Sequence, residues 1–510
     1  MSALDHWHNS FSRKRLWQRL RAMPMSLVVL PFIVGIILAN NFDTPLLIVC
    51  GAIVVATIGA LYAHPQGIAY CFVALAVMLF GVVVVELRHT PATTPYNSAV
   101  EMEVSLVSPI AEREGYSVAE GRIEAWLDDD GWHDARDRVQ LWLRCDTLRY
   151  GDRVHIVGEL RERISKYEEY NALMHNRGYV GGVALSEWQI LDIERDRAGG
   201  VRRYAIEKLG RYAKDTASHS IVEGMVAGSR YNMPAALRTS YSATGLSHIL
   251  AVSGLHIGII FVVINLLLVP LRIIHHGHIV ADILAVAVLW LFVVISGATP
   301  SVVRAALMFS VLRLFINSTA QYHSINTLAV VVFIMLLYNP QMLYDISFQL
   351  SVLAVAGIVV WGVPIVRGLK FKSRLATSLT STLVIGVVAT LSTLPVVSAT
   401  FGNIPIVGVI ATPVVLLTAY VIVCCGVVTL LLPHPLAQPF AYCAEWCASL
   451  QNSVVEWFAS LPFASIQHTL TPTTIAVYYS LFVLATIIMW SRKPRTKQHL
   501  FTLSEFEGRE

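Results

Sequence analysis

The stretch Gly245–Gly258 reads GLSHILAVSGLHIG and sets Ser247, His248, Ser253 and His256 at the start of a strongly apolar run. Polar side chains in hydrocarbon carry a free-energy penalty, so they usually face a bundle interior, a water-filled path or a partner. Further polar groups recur in later apolar segments: Thr299, Ser301, Arg304, Asp345, Ser347 and Gln349. Hydroxyl, imidazole, amide and guanidinium groups suit a wet path that solvates an anion without trapping it. His248 and His256 lie eight residues apart, about 80° from one face of an α-helix. Each group also has a plain structural use. The histidines can donate to backbone carbonyls inside a bundle, Arg304 and Asp345 can pair near the outer helix ends, and Arg313 can snorkel to the inner face. Ser253 and His256 are also of nucleophile and base type. A GxSxG string is absent and the helix offers no oxyanion hole, so hydrolysis is disfavoured. Cys/His metal spacing and a Walker A string are also absent, so no metal, cofactor or ATP-driven motor is expected.

These residues need a membrane frame. The chain of 510 residues is 55% apolar and only 14% charged, with mean hydropathy +0.59; soluble domains carry roughly 25% charged residues. Apolar runs near 25–40, 45–62, 68–87, 245–271, 279–296, 302–316, 326–338, 347–365, 376–397, 406–432 and 474–491 read as spans, some short enough to be re-entrant. The expected fold class is a polytopic α-helical membrane protein of about 10–12 transmembrane or re-entrant helices. Segment 437–459 contains Glu445, Gln451, Asn452 and Glu456, so an interfacial position is open for it. If it lies there, run 404–432 becomes a candidate hairpin. Arg13, Lys14, Arg15, Arg19 and Arg21 precede the first span, Arg367, Lys370, Lys372 and Arg374 mark one inner loop, and Arg492, Lys493, Arg495 and Lys497 follow the last span. This bias places both termini in the cytoplasm and residues 88–240 outside it. Six of the seven cysteines sit in apolar segments and Cys145 stands alone in the external region, so no disulfide framework is expected.

Residues 98–195 form a separate, inserted extracytoplasmic domain. Strands are predicted at Val100–Val107, Tyr116–Trp126, Val139–Arg144, Arg153–Leu160 and Tyr179–Leu191, with a hairpin turn at Asp128–Gly131 and a helix from Lys166 to Asn176. Five strands and one helix fit a small β-barrel of OB-fold type, a common binder of single-stranded nucleic acid. Charge opposes general DNA affinity: residues 98–198 hold 21 Asp/Glu against 13 Lys/Arg, a net of −8. Within 136–166 the balance reverses, with eight basic residues against five acidic ones. The candidate DNA contacts there are Arg144, Arg153, Arg161, Arg163, Lys166 and Tyr167, with Trp142 as a second stacking surface. A solvated strand face over core aromatics is the plain alternative. Residues 199–238 follow as basic amphipathic helices at the outer membrane surface. Arg202 and Arg203 are the candidates there, for lipid headgroups or for a polyanion led to the pore mouth.

Several blocks resemble, in order, the bacterial competence DNA-translocation channels of the ComEC type. The Gly245–Gly258 string looks like that family's signature. Ser296–Met308 resembles its small-residue turn and Arg-bearing helix, Tyr344–Ser351 its polar helix start, Thr393–Pro395 with Phe401–Asn403 its kinked helix and outer loop, and Leu148–Val154 its OB-fold strand. The resemblance implies a channel that moves single-stranded transforming DNA across the cytoplasmic membrane. It also implies a membrane-anchored DNA receptor upstream and single-strand-binding proteins downstream. Longer members carry a C-terminal metallo-β-lactamase-like domain. This chain has no HxHxDH string, and His275-His276-Gly277-His278 lacks the carboxylate. The expectation is therefore a short form that is not an enzyme and relies on a separate nuclease or motor.

The expected organisation is a cytoplasmic basic N-terminus (1–24), three transmembrane helices (25–88), the OB-like domain (98–195), the basic helices (199–238), a helical channel domain (239–491) and a cytoplasmic tail (492–510). Expected partners are single-stranded DNA, membrane lipid and a second copy of the chain. The competing readings are a secondary transporter of a small anion or envelope precursor and a scaffold for a nuclease.

Overall fold

A computed structural model describes residues 24–40, 46–62, 66–88, 94–107, 110–113, 116–145, 147–148, 151–165, 168–176, 178–194, 200–229, 233–250, 254–273, 277–298, 300–316, 324–369, 373–405, 407–462 and 464–491. Lys166, Tyr167, Ser253, Thr299, the basic N-terminal residues, Lys370, Lys372 and the tail lie outside the described residues.

The protein is mostly helical, with a separate sheet domain. Among the described residues six helical segments are long and apolar enough to cross a membrane: Ile68–Leu87, Gly277–Ile295, Ile346–Gly368, Ala376–Phe401, Ile410–Leu431 and Pro472–Met489. Five shorter apolar helices accompany them, so each apolar run expected from the sequence contains helix among the described residues. Helices α1 (Pro24–Ala39), α2 (Leu46–Tyr62) and α3 (Gln66–Arg88) come first and pack on one another.

The sheet domain follows, from β1 (Ala99–Leu106), β2 (Ala111–Arg113), β3 (Tyr116–Asp128), β4 (Gly131–Arg144) and β5 (Arg153–Arg161) through α4 (Glu168–Asn176) to β6 (Gly181–Ser186) and β7 (Ile190–Glu194). Pairings run β1–β3–β4–β6–β5, and β5 pairs again with β1. The β5–β6 seam is short, two residue pairs at Leu160–Val183 and Arg161–Gly182. Alternation drives the strands: Met102, Val104 and Leu106 of β1, with Val154, Ile156 and Leu160 of β5, point inward into one core. Three expectations change. Strand β2 is additional to those predicted. Strand β4 starts at Gly131, well before Val139, and its first half escapes the hydrophobic alternation because it is mostly polar. The last predicted strand is two strands, split by a turn in which the Ser186 amide donates to Gln189 Oε1 at 2.9 Å.

The helical domain continues with α5 (Gly200–Gly210), α6 (Thr216–Val226), α7 (Ala235–Ala243), the one-turn α8 (Ser247–Leu250), α9 (Gly254–Leu267), α10 (Gly277–Ile295), α11 (Pro300–Ile316) and α12 (Ser324–Tyr338). Then come α13 (Ile346–Gly357), a widened turn at Ile358–Gly362, α14 (Val363–Gly368), α15 (Arg374–Phe401), α16 (Gly408–Leu431), α17 (Gln438–Ala459) and α18 (Pro472–Ser491). The widened turn sits directly ahead of Pro364, which has no amide to give to a regular turn. Run 404–432 is not a hairpin: from Gly408 it is one helix with Pro413 in its first turns. Within the span expected at 245–271, Ser247–Leu250 and Gly254–Leu267 are helical. One apolar core joins α6, α7, α9, α10, α11, α16 and α17. A second joins α1, α3, α11, α12 and α13. Short strands β8 (Asn403–Pro405) and β9 (Ser465–Gln467) pair antiparallel and tie the loop before α16 to the loop after α17.

Candidate functional site

The signature string folds as a turn, one helical turn and then α9. Ser247 and His248 of α8 are exposed, and His248 Nδ1 lies 2.9 Å from the Gly245 carbonyl. His256, in the first turn of α9, is 1% exposed. Gly254 meets Ala305 and Gly258 meets Phe309, so α9 and α11 run side by side in parallel with small residues at their contact. By this alignment Arg304 stands about 4.5 Å, nearly one helical turn, before the level of His256.

Arg304 is 2% exposed. Its Nη2 lies 3.4 Å from both the carbonyl and the hydroxyl of Ser301, and Nη1 has no hydrogen-bond partner among the described residues. A buried charge without a close partner is destabilising by several kcal/mol. The expected alternative, an Arg304–Asp345 pair, is not formed among the described residues. Asp345 instead caps α13, its Oδ1 accepting from the Phe348 amide at 3.0 Å. Gln349 Nε2 donates to the Leu343 carbonyl at 2.9 Å, and Ser347 is exposed beside it. Capping and turn bonding occupy Asp345 and Gln349, which form a second group at the start of α13.

The turn between α10 and α11 is braced by Arg202 and packed against Gly228. Gly297 has φ +77, and the Arg202 guanidinium carbon lies 2.7 Å from where a Cβ would stand. Gly228 has φ +67, and a Cβ there would strike the Ser296 carbonyl. Arg202 Nε donates to the Ala227 carbonyl at 3.2 Å. Arg202 is buried at 8% exposure, so it braces this turn from inside the protein and is not a surface contact. Arg203 is half-buried and sits 3.9 Å from Glu207. Lys208 is buried too, and its Nζ donates to the carbonyls of Leu430 and Leu432 at 2.9 and 2.8 Å, closing the C-terminus of α16. The basic helix α5 therefore turns part of its charge inward.

In the sheet domain Arg144, Arg153, Arg161 and Arg163 are exposed. Arg153 lies 3.8 Å from Glu194 and Arg161 lies 3.1 Å from Glu159, both at the surface. Trp142 is half-buried over Gly182 and packs against Ile164, Met174 and Tyr179. It belongs to the small core under α4.

Sequence reasoning missed the use of α17. Three of the four residues that opened an interfacial position for it, Glu445, Gln451 and Asn452, lie on its buried face, and Glu456 is exposed. His219 Nδ1 of α6 lies 2.8 Å from Glu445 Oε1, with side chains 11% and 6% exposed. Glu223, one turn further along α6, is also buried. Two turns along α17, Gln451 Nε2 donates to the Tyr241 hydroxyl at 2.9 Å, that hydroxyl donates to Asn452 Oδ1 at 3.0 Å, and Thr418 donates to Gln451 Oε1 at 2.8 Å. Burial pushes the Tyr241 hydroxyl pKa up. Burial alone would lower the His219 pKa, but the hydrogen bond and charge of Glu445, with the charge of Glu223, raise it. The spacing of Glu445 and Asn452, seven apart on one helical face, was the available signal.

ComE operon protein 3 of Bacillus subtilis (strain 168) is 31% identical over 192 residues, which cover 38% of this chain and 24% of that protein. An uncharacterized protein of Aquifex aeolicus (strain VF5) is 31% identical over 172 residues, covering 33% of this chain and 40% of that protein. The aligned stretches thus span about a quarter and two fifths of these relatives' lengths. No solved structure matches. Residues 225–493, more than half of the chain, match the family described as competence protein, and the chain belongs to that family.

Proposed function

We propose that the protein serves DNA uptake in competence as a channel carrying single-stranded DNA across the cytoplasmic membrane. The observation that carries the reading is Arg304: a cation 2% exposed, with one nitrogen unpartnered, beside the signature helix α9 in an apolar domain. A passing phosphate would supply the missing acceptor transiently, and its departure would restore the unpaired state. Conduction requires that this contact release the phosphate again. His256, Ser247, His248, Ser253, Ser347 and Gln349 are the further lining candidates, and Asp345 supports them by capping α13. The returning strand pairings fit an OB-like barrel, read here as lying outside the cytoplasm, with both termini inside. The protein acts as a conduit and not as a catalyst. A membrane-anchored receptor, a separate nuclease or motor and single-strand-binding proteins complete the path.

The test follows fluorescent duplex DNA in cells carrying the wild type, Arg304→Ala or His256→Ala, scoring envelope uptake separately from cytoplasmic arrival. The expected result is normal protein abundance and envelope uptake with at least tenfold less cytoplasmic arrival. Normal arrival in both variants would remove these residues from the path. Normal arrival in a full deletion would remove DNA import and promote the small-anion transporter.

A further inference from the structure

Trp188 is 81% exposed, more than any other tryptophan among the described residues. It stands in the turn between β6 and β7, on the wall of a groove of about 400 Å³. Ala99, Val157, Gly158, Glu159, Arg161 and Gln189 line the rest with Ala184. The groove follows from the strand pairings. On one side β5 pairs with β1 from Arg153 to Glu159. On the other, β7 takes Arg153–Ile156 and β6 takes only Leu160–Arg161. Val157–Glu159 therefore has no strand on that side, and Gln189 Nε2 donates to the Val157 carbonyl at 3.2 Å instead. Gly158 itself faces the core, against Val183 and Ile156, and offers only backbone to the groove. A volume in the range of small-ligand sites, about 300–1,000 Å³, remains beside an aromatic face.

Charge selects this place over the rest of the domain. The outward face of β1 and β3 presents Glu101, Glu103, Glu120 and Glu124, all half-buried. Arg138 is already 2.7 Å from Glu120. That face repels phosphate. At the groove Arg161 is exposed, Arg163 follows it, and Arg144 pairs in register with Ser186, two residues from Trp188. Of these, Arg161 lines the groove; its 3.1 Å pair with Glu159 lies at the surface and contributes little, so an anion can compete for the guanidinium while the exposed indole offers a flat face to a ring.

We propose that this groove holds one unpaired base of single-stranded DNA, stacked on Trp188, with an adjoining phosphate against Arg161. The choice of DNA as the polyanion rests on the proposed function; the position of the site rests on the groove. Stacking is sequence-tolerant, because every base has a π-face. A base held in a duplex is not free to enter, so the site favours single strands.

The experiment uses the full chain in lipid nanodiscs and fluorescence anisotropy with a labelled oligothymidylate and an abasic strand of equal length. Trp188→Ala is expected to weaken oligothymidylate binding by about 5- to 150-fold, the range for loss of one base–aromatic stack. Trp188→Phe should recover most of the loss, and the abasic strand should bind wild type and Trp188→Ala alike. Unchanged affinity in Trp188→Ala, or wild-type binding of the abasic strand as tight as of oligothymidylate, would overturn the site. Absence of wild-type binding to either strand would also overturn it. The pore is scored separately, by cytoplasmic arrival in Arg304→Ala, so each reading can fail alone.

Discussion

Removing Glu445 tests the buried contact between α6 and α17. The His219–Glu445 pair is 2.8 Å long with side chains 11% and 6% exposed, so water cannot replace a lost partner. Breaking a buried pair from one side is destabilising by about 3–5 kcal/mol, and Glu445→Ala should lower the unfolding midpoint accordingly. Glu445→Gln retains an acceptor for the imidazole and loses only charge. A hydrogen bond to a charged group contributes about 1.5–3 kcal/mol and a neutral one about 0.5–1.5, so this variant should lose about 1–1.5 kcal/mol. The pH dependence has a definite sign. Folding raises the His219 pKa above its ordinary value near 6.5. The charged pair therefore contributes fully below about pH 6.5 and fades as pH rises through the folded value. The gap between wild type and Glu445→Gln should be widest near pH 5.5 and narrow by about pH 8.5. The assay is thermal unfolding of the full chain in nanodiscs at one heating rate, since unfolding of such proteins is commonly irreversible. A gap that widens with pH, or does not change, would refute the assignment of the raised pKa to this pair.

Lys208→Met keeps the stem of the side chain and loses both bonds to the Leu430 and Leu432 carbonyls; a loss of about 2–3 kcal/mol should appear as a lower midpoint, and an unchanged midpoint would deny the capping role. Gly228→Ala places a Cβ against the Ser296 carbonyl at φ +67. Left-handed backbone alone is unfavourable for alanine by about 1–2 kcal/mol, so this variant should destabilise by at least that much and reduce DNA import with it; wild-type stability would show that the turn can shift at no penalty. Arg304→Ala, by contrast, should leave the midpoint unchanged or raised, because it removes an unpaired buried charge, while cytoplasmic arrival of DNA falls. A large drop in midpoint would make Arg304 a structural residue.

The apolar helices were legible because apolar run length is a local property. Alternation likewise exposed most of the sheet domain, and it faltered where polar residues fill both faces, as in the first half of β4. The ordered blocks around Gly245–Gly258, Ser296–Met308 and Tyr344–Ser351 pointed to the competence family before any contact was known. Residue types at these positions did not reveal their partners. Asp345 and Arg304 share the right charges, yet the local cap on Phe348 takes the carboxylate. Arg202 reads as a surface cation because its helix is amphipathic, but cations can complete a backbone as well as meet water, as Arg202 and Lys208 do.

The sequence by itself determined that this is a multi-helix chain with an inserted sheet domain and a competence signature, since periodicity, run length and motif order are carried by neighbouring residues. The tertiary structure alone decided which polar groups are buried, which are partnered and where a groove opens. His219 and Glu445 are 226 residues apart, and Tyr241 and Asn452 are 211 apart. The burial of such groups is a property of the space between helices, and no stretch of the chain contains it.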